Sequence, residues 1–170
     1  FNPLHFGHLL LLKEASKYGK VIVALNSDEW VLKNKGYLLF DFETRKSLLE
    51  ECQHVHKVIP FDDSEGDVTF ALFEVRPTYF GNGGSATSAS LPKEELQVCG
   101  YLGIEPIFIN SSLLSAQSRQ RYYWTNIPGI KEPEDRGIVL KDILEDDFES
   151  DRDKSYCIDA NYSKTGAKPH

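Results

Sequence analysis

No methionine occurs anywhere in this chain, and its three cysteines, Cys52, Cys99 and Cys157, lie far apart with no CxxC pair. Full-length chains begin with methionine, so its absence leads us to expect a piece lacking its beginning. The sparse cysteines exclude a disulfide framework or a thiolate zinc site and suit a reducing, cytoplasmic setting. Long apolar runs are also missing. A membrane span needs about 20 such residues, whereas the run His8 to Leu12 is followed at once by Lys13 and Glu14. With no cationic leader before it, that run is no signal peptide either. Positive charge is in deficit: 19 Lys and Arg against 26 Asp and Glu give a net charge of -7. The chain as a whole therefore exerts no pull on nucleic acid or anionic membrane, and any phosphate must be held by locally placed groups.

What is present is a rhythm of helix and strand over the first 110 residues. Helices are predicted for Leu9–Tyr18, Phe42–Gln53, Asp67–Val75 (with Asp67 as cap) and Leu91–Gly103, where Pro92 sits near the first turn. Strands are predicted for Lys20–Asn26, His56–Phe61 and Glu105–Asn110, and a short one runs from Thr78 into the glycine-rich Gly81–Gly84. The β-branched run "KVIVALN" reads as a parallel strand buried on both faces. Such alternation predicts an α/β fold with a doubly wound parallel sheet and a ligand at the carboxyl ends of its strands. Beyond Trp124 the rhythm stops: "KDILEDDFESDRDK" is strongly acidic and the last residues are polar. We place a boundary near 110, with an irregular appendage over 111–170. No internal repeat is found.

The stretch "FNPLHFGHL" sets His5 and His8 three apart around Gly7, at the start of a predicted helix. A helix amino terminus favours an anion through its free N–H groups and dipole, and two imidazoles add donors. Gly7 lets a phosphate approach the backbone closely. Electrostatic stabilisation suits the pair better than nucleophilic chemistry, because no Ser or Asp partner stands at a recognisable spacing. Metal ligation fits poorly, since helical ligand pairs prefer i, i+4 and a third ligand is not evident. On spacing alone, two ordinary polar residues at a helix start remain an equal reading.

"FNPLHFGHLLLL" resembles the HxGH motif of the cytidylyltransferase-like nucleotidyltransferases, with Asn2 where many members carry Asp. The resemblance extends to about residue 110. "LNSDEWVLKNKG" is similar to the family's lysine segment after the second strand, placing Lys33 and Lys35 where substrate or triphosphate binds, although a solvated loop is the plainer alternative. "FETRKSLLEEC" resembles the next helix, with Arg45 as a structural or phosphate-pairing residue. "RPTYFGNGGSATSASLPKEELQVCGYLGIEPIFI" is similar to the segment in which Asn82, Gly83 and Gly84 would line the base pocket, or else form a plain turn. Asn82 and Ser85 replace the family's Lys and Asp, so the substrate stays open. The resemblance implies transfer of CMP or AMP from CTP or ATP to a phosphorylated sugar or alcohol, with release of pyrophosphate. It also implies Mg²⁺ with the triphosphate, and a homodimer. In that scheme His5 and His8 stabilise the phosphate in transfer, Lys33 or Lys35 neutralises charge from the side, and Phe1, Asn2 and Gly7 lie on the nucleotide side.

The family's closing serine loop has a counterpart in "INSSLLSAQSR", with Ser111 and Ser112 in the hydroxyl positions. The longer "INSSLLSAQSRQRYYWTNIP" resembles the QxRxR region of DNA cytosine-5 methyltransferases, as do "RGIVLKDILED" and "KSYCIDANYSKTG" in the same order. That resemblance covers about 105–170 and reads as a junction at "PIFINSSLLSAQ". It implies that Gln117, Arg119 and Arg121 contact DNA; the plainer alternative pairs the arginines with the acidic tail. The methyl-donor loop, the Pro-Cys nucleophile and Glu-Asn-Val are absent from the chain, so S-adenosylmethionine would belong only to a complete methyltransferase. Three readings follow: a nucleotidyltransferase, a DNA-recognition fragment, and a nucleotide-holding module without turnover.

Overall fold

The computed structural model describes residues 1–60, 68–81, 97 and 100–156. By its internal contacts the chain forms two compact units. The first takes Phe1–Gly83, Leu91–Glu105 and Trp124–Pro128; the second takes Gly84–Ser90, Pro106–Tyr123 and Gly129–His170.

The first unit has α/β architecture. It contains helix α1 (Phe6–Ala15), strand β1 (Ile22–Leu25), helices α2 (Asp28–Lys35) and α3 (Phe42–Glu50), strand β2 (Lys57–Pro60) and helix α4 (Thr69–Val75). Strands β1 and β2 are parallel, with Val23 opposite Val58 and Leu25 opposite Pro60. Such a pairing needs a crossover long enough to carry helices, which α2 and α3 supply. The core gathers Leu12, Val23, Leu25, Leu49 and Val58, with Phe1, Leu4 and Phe42 packed against it. The two-faced burial expected for β1 is corrected: Val23 and Leu25 are buried but Ile22 is 39% exposed. Helix α1 buries only Leu12. Four successive leucines spread about 300° around a helix, so no single face can cover them all.

Residues 28–35, which the loop alternative would leave irregular, form α2. The Ser27 hydroxyl accepts from the Trp30 N–H at 3.0 Å and caps its start. Gly36, at φ 76°, ends it in the left-handed conformation that favours glycine. Asp41 caps α3 in the same way, accepting from the Thr44 N–H at 2.8 Å. The expected Asp67 cap lies outside the described residues, and so does most of the helix expected over 91–103, of which residues 100–102 are helical.

The second unit holds β3 (Ile107–Asn110) and β4 (Gln120–Tyr123), paired antiparallel with Ile107 opposite Tyr123. Here too an expectation is corrected: β3 is a strand, but its partner among the described residues is the antiparallel β4. The short return through the 3₁₀ turn Ser111–Leu113 joins antiparallel neighbours, whereas a parallel crossover takes about a dozen residues or more. After β4 one further 3₁₀ turn, Leu140–Asp142, is present among the described residues. The tail is tied back by Ser118 N–H to Ser155 O and Ser155 N–H to Ala116 O, both 2.8 Å.

Candidate functional site

His5 stands in extended backbone (φ -143°) immediately before α1, and His8 falls in the helix's first turn. Three-residue spacing puts the two side chains on one helical face. Their rings stack, with centroids 3.7 Å apart and planes 21° apart, and Phe1 lies against His8 at 4.7 Å. The His5 backbone N–H donates to His8 Nδ1 at 3.3 Å. A neutral His8 ring therefore carries its proton on Nε2, which is left to act as a donor. Burial first, then the positive charges of the chain's amino group, His5 and Lys35, push the His8 imidazole down to about 4. His8 is thus uncharged at neutral pH. Gly7 adjoins the pair: a Cβ there would meet His5 Cε1 at 3.1 Å and Nδ1 at 3.2 Å.

The two lysines separate. Residues two apart on a helix diverge by about 200°, and Lys35, not Lys33, is the α2 cation whose field reaches His8. Both sit in the last turn of α2 and are exposed.

Asn2 is 5% exposed and faces inward. Its Oδ1 accepts from the Leu39 N–H at 3.1 Å and the Phe40 N–H at 3.4 Å, and its Nδ2 donates to Tyr37 O at 3.4 Å. The side chain thus clamps the α2–α3 connection beneath the histidine turn. Arg45, 2% exposed, works beside it. Its Nε donates to Phe40 O at 3.1 Å, and its Nη2 donates to Asn26 O at 3.0 Å and Asp28 Oδ1 at 2.5 Å. Asp28 Oδ2 accepts from the Phe42 N–H at 3.0 Å. One ion pair, buried on its Arg45 side, therefore joins the end of β1, the start of α2 and the start of α3. Sequence reasoning singled out Arg45 but missed Asp28, whose signal was its place one residue after the Ser27 cap. At the carboxyl ends of β1 and β2 a cavity of about 330 Å³ is lined by Leu25, Ser27, Asp28, Glu29, Phe42 and Pro60, where ligands of open α/β sheets bind.

Asn82, Gly83 and Gly84 lie outside the described residues. Ser111 and Ser112 begin the 3₁₀ turn of the second unit. The Ser111 hydroxyl donates to Gln117 O at 2.9 Å, and the Ser112 N–H donates to Asn110 Oδ1 at 3.1 Å. Lys154 Nζ closes the turn, donating to the carbonyls of Ser112 at 2.6 Å, Ser115 at 3.2 Å and Ile138. Gln117 bridges Ser155. Arg119 N–H donates to Asn110 Oδ1 at 2.9 Å, and Arg121 Nη1 donates to Gln120 O at 2.7 Å. Among the described residues no three His, Cys, Asp or Glu side chains converge to hold a metal ion, and no helix is long and apolar enough to cross a membrane.

Comparison with known proteins matches residues 1–98 to the cytidylyltransferase-like family. Glycerol-3-phosphate cytidylyltransferase of Bacillus subtilis (strain 168) is 38% identical over 61 residues, 35% of this chain and 47% of that protein. FAD synthase of Thermoplasma volcanium is 33% identical over 78 residues, 45% of this chain and 54% of that protein. The chain thus spans about half the length of the curated relatives it matches. Among solved structures, the lipopolysaccharide core biosynthesis protein from Thermoplasma volcanium GSS1 aligns with 61% of this chain and 83% of its own, at 29% identity and a TM-score of 0.43. With its family match covering more than half its length, the chain belongs to the cytidylyltransferase-like family.

Proposed function

We propose that this chain transfers a nucleotidyl group, CMP or AMP, from CTP or ATP to the phosphate of a small sugar or alcohol phosphate. The observation that carries the reading is the stacked His5–His8 pair at the start of α1, with His8 Nδ1 accepting from the His5 N–H and burial favouring the neutral ring. An acceptor phosphate oxygen attacks the α-phosphorus of the triphosphate. One P–O bond forms as the bond to the β-phosphate oxygen breaks, and pyrophosphate leaves. Charge grows on the leaving oxygens, where imidazole N–H donors and the α1 amino terminus are best placed to stabilise it. Lys35 supplies positive charge from the side, and Lys33 acts farther out. Phe1, Asn2 and Gly7 shape the floor of the nucleotide site. Asn82, Gly83 and Gly84 are proposed for the base, and Ser111 and Ser112 for the triphosphate. Arg45 serves by holding the α2–α3 connection.

The divalent ion expected with the triphosphate is Mg²⁺. Phosphate oxygens and water would hold it, as is usual for that ion. Its part when bound is to neutralise phosphate charge.

The test is pyrophosphate release from CTP and from ATP with a panel of sugar and alcohol phosphates, glycerol 3-phosphate first. Release abolished by His5→Ala and His8→Ala is the expected result. No release with any pair, from a folded chain that still binds nucleotide, leaves the module without turnover as the answer.

A second reading concerns residues 105–170, where the exposed Arg119 stands just before β4 and Arg121 lies two residues on, within the strand. We propose this stretch as a DNA-contacting remnant. It predicts salt-sensitive DNA binding that Arg119→Ala with Arg121→Ala removes. Binding unchanged by that pair sinks it.

A further inference from the structure

Residues Thr125 and Asn126 lie well beyond the family match, yet their side chains form a clasp on the segment Thr78–Gly81 inside the first unit. The Asn126 carboxamide satisfies both sides of that backbone. Its Oδ1 accepts from the Phe80 N–H at 2.7 Å and its Nδ2 donates to Thr78 O at 2.9 Å. In effect one side chain replaces a rung of β-ladder. Thr125 Oγ1 donates to Phe80 O at 2.5 Å and accepts from the Ile127 N–H at 3.1 Å. Gly81 and Thr125 form an isolated antiparallel bridge, and Ile127 Cδ1 comes within 3.9 Å of where a Gly81 Cβ would stand. Trp124, 2% exposed, anchors the near end. On the other side, Tyr79 packs edge-on against Tyr18 at 5.8 Å.

We infer that Thr125 and Asn126 are positioning residues of the transferase-like unit: they fix Phe80 and Gly81, from which the chain enters Asn82-Gly83-Gly84. The inference rests on the nucleotidyltransferase reading for its functional consequence, though not for its structural one. A segment gripped at the N–H and carbonyl of Phe80 cannot shift its register without breaking several hydrogen bonds at once. A segment on the nucleotide side whose backbone is held at Phe80 and Gly81 lowers the ordering cost of binding, which belongs to KM, while the histidines govern the chemical step.

The experiment compares the full chain with Asn126→Ala, Thr125→Val and Thr125→Ser in two arms. In the first, hydrogen exchange at the Phe80 and Gly81 amides is followed under native conditions. Asn126→Ala should speed exchange at Phe80 roughly tenfold or more, the scale of one to two lost hydrogen bonds. Thr125→Ser, which keeps the hydroxyl, should hold the wild-type rate. In the second arm, steady-state pyrophosphate release should show KM for the triphosphate rising roughly tenfold in Asn126→Ala and Thr125→Val. Turnover and KM for the acceptor should stay within about twofold, and Thr125→Ser should restore the KM. Unchanged exchange at Phe80 overturns the clasp. Faster exchange with an unchanged triphosphate KM, in an active enzyme, overturns the positioning role. If the wild-type chain releases no pyrophosphate, the function reading fails, and the exchange arm alone decides the clasp.

Discussion

Replacing Arg45 by alanine removes in one step every tie that the buried guanidinium makes. Two carbonyls, of Phe40 and Asn26, lose their donors, and Asp28 loses its counter-charge at 2.5 Å. Removing one partner of a buried pair costs about 3–5 kcal/mol, most of it from the charge left behind. Here the remaining Asp28 side chain is 28% exposed and can rehydrate, which puts the expected loss near the lower end, at about 3 kcal/mol. Arg45→Lys keeps the charge but not the planar fork that reaches three acceptors, and should lose about 1–2 kcal/mol. Asp28→Asn retains an acceptor for the Phe42 N–H and should fall in the same range. The assay is urea unfolding followed by the emission of Trp30, which sits on α2 in the same unit. The midpoint should drop with the slope unchanged. A double-mutant cycle across Arg45 and Asp28 should return a coupling above about 1 kcal/mol. If Arg45→Ala lowers the unfolding free energy by less than about 1 kcal/mol at constant slope, the hub is not what holds α2 and α3 together.

Gly7→Ala places a methyl 3.1 Å from the His5 ring, so the ring must swing and the stack must open. Pyrophosphate release should fall by roughly 10- to 100-fold in kcat, while the melting temperature stays close to wild type because alanine is the better helix former. Lys35→Met should raise the His8 pKa, read by NMR titration, whereas Lys33→Met should leave it in place. His8 also sets a pH window. Its folded value of about 4 lies below the ordinary 6.5, so the unfolded chain takes up the proton first. Stability should decline as pH falls from 6.5 toward 4 and level off below, and His8→Gln should flatten that decline in urea titrations. Lys154→Met strips three carbonyls of their donor and should destabilise the second unit by about 2 kcal/mol, measured by the exchange of the Ser155 amide.

Local signals were legible in the sequence; distant partners were not. Strands β1 and β2 announced themselves through β-branched runs, and α3 through its pattern. Helix α2 carries no apolar stripe, yet its Ser27 cap and Gly36 stop were readable, and recognising them would have separated Lys33 from Lys35. Asn2 looked like a ligand-side residue because its partners, Tyr37, Leu39 and Phe40, lie 35 to 38 residues away. Arg45 was noticed for its motif, but the 17-residue reach to Asp28 was invisible. The antiparallel partner of β3 depended on a tight serine turn whose hydroxyls bond their own backbone, and no periodicity reports that.

The clasp between Asn126 and Phe80 spans 46 positions of sequence, so everything between them is a closed excursion with both ends pinned. In polymer terms the loop-closure entropy is already spent there. Doubling the excursion would add only about 0.6 kcal/mol. Between Asn2 and Phe40, by contrast, every helix and strand takes part in the core or the hub, and added length has nowhere to go. Added length between Phe80 and Asn126 is therefore cheap in closure entropy, provided that it spares the β3–β4 pair and that Trp124-Thr125-Asn126 returns to close the ring.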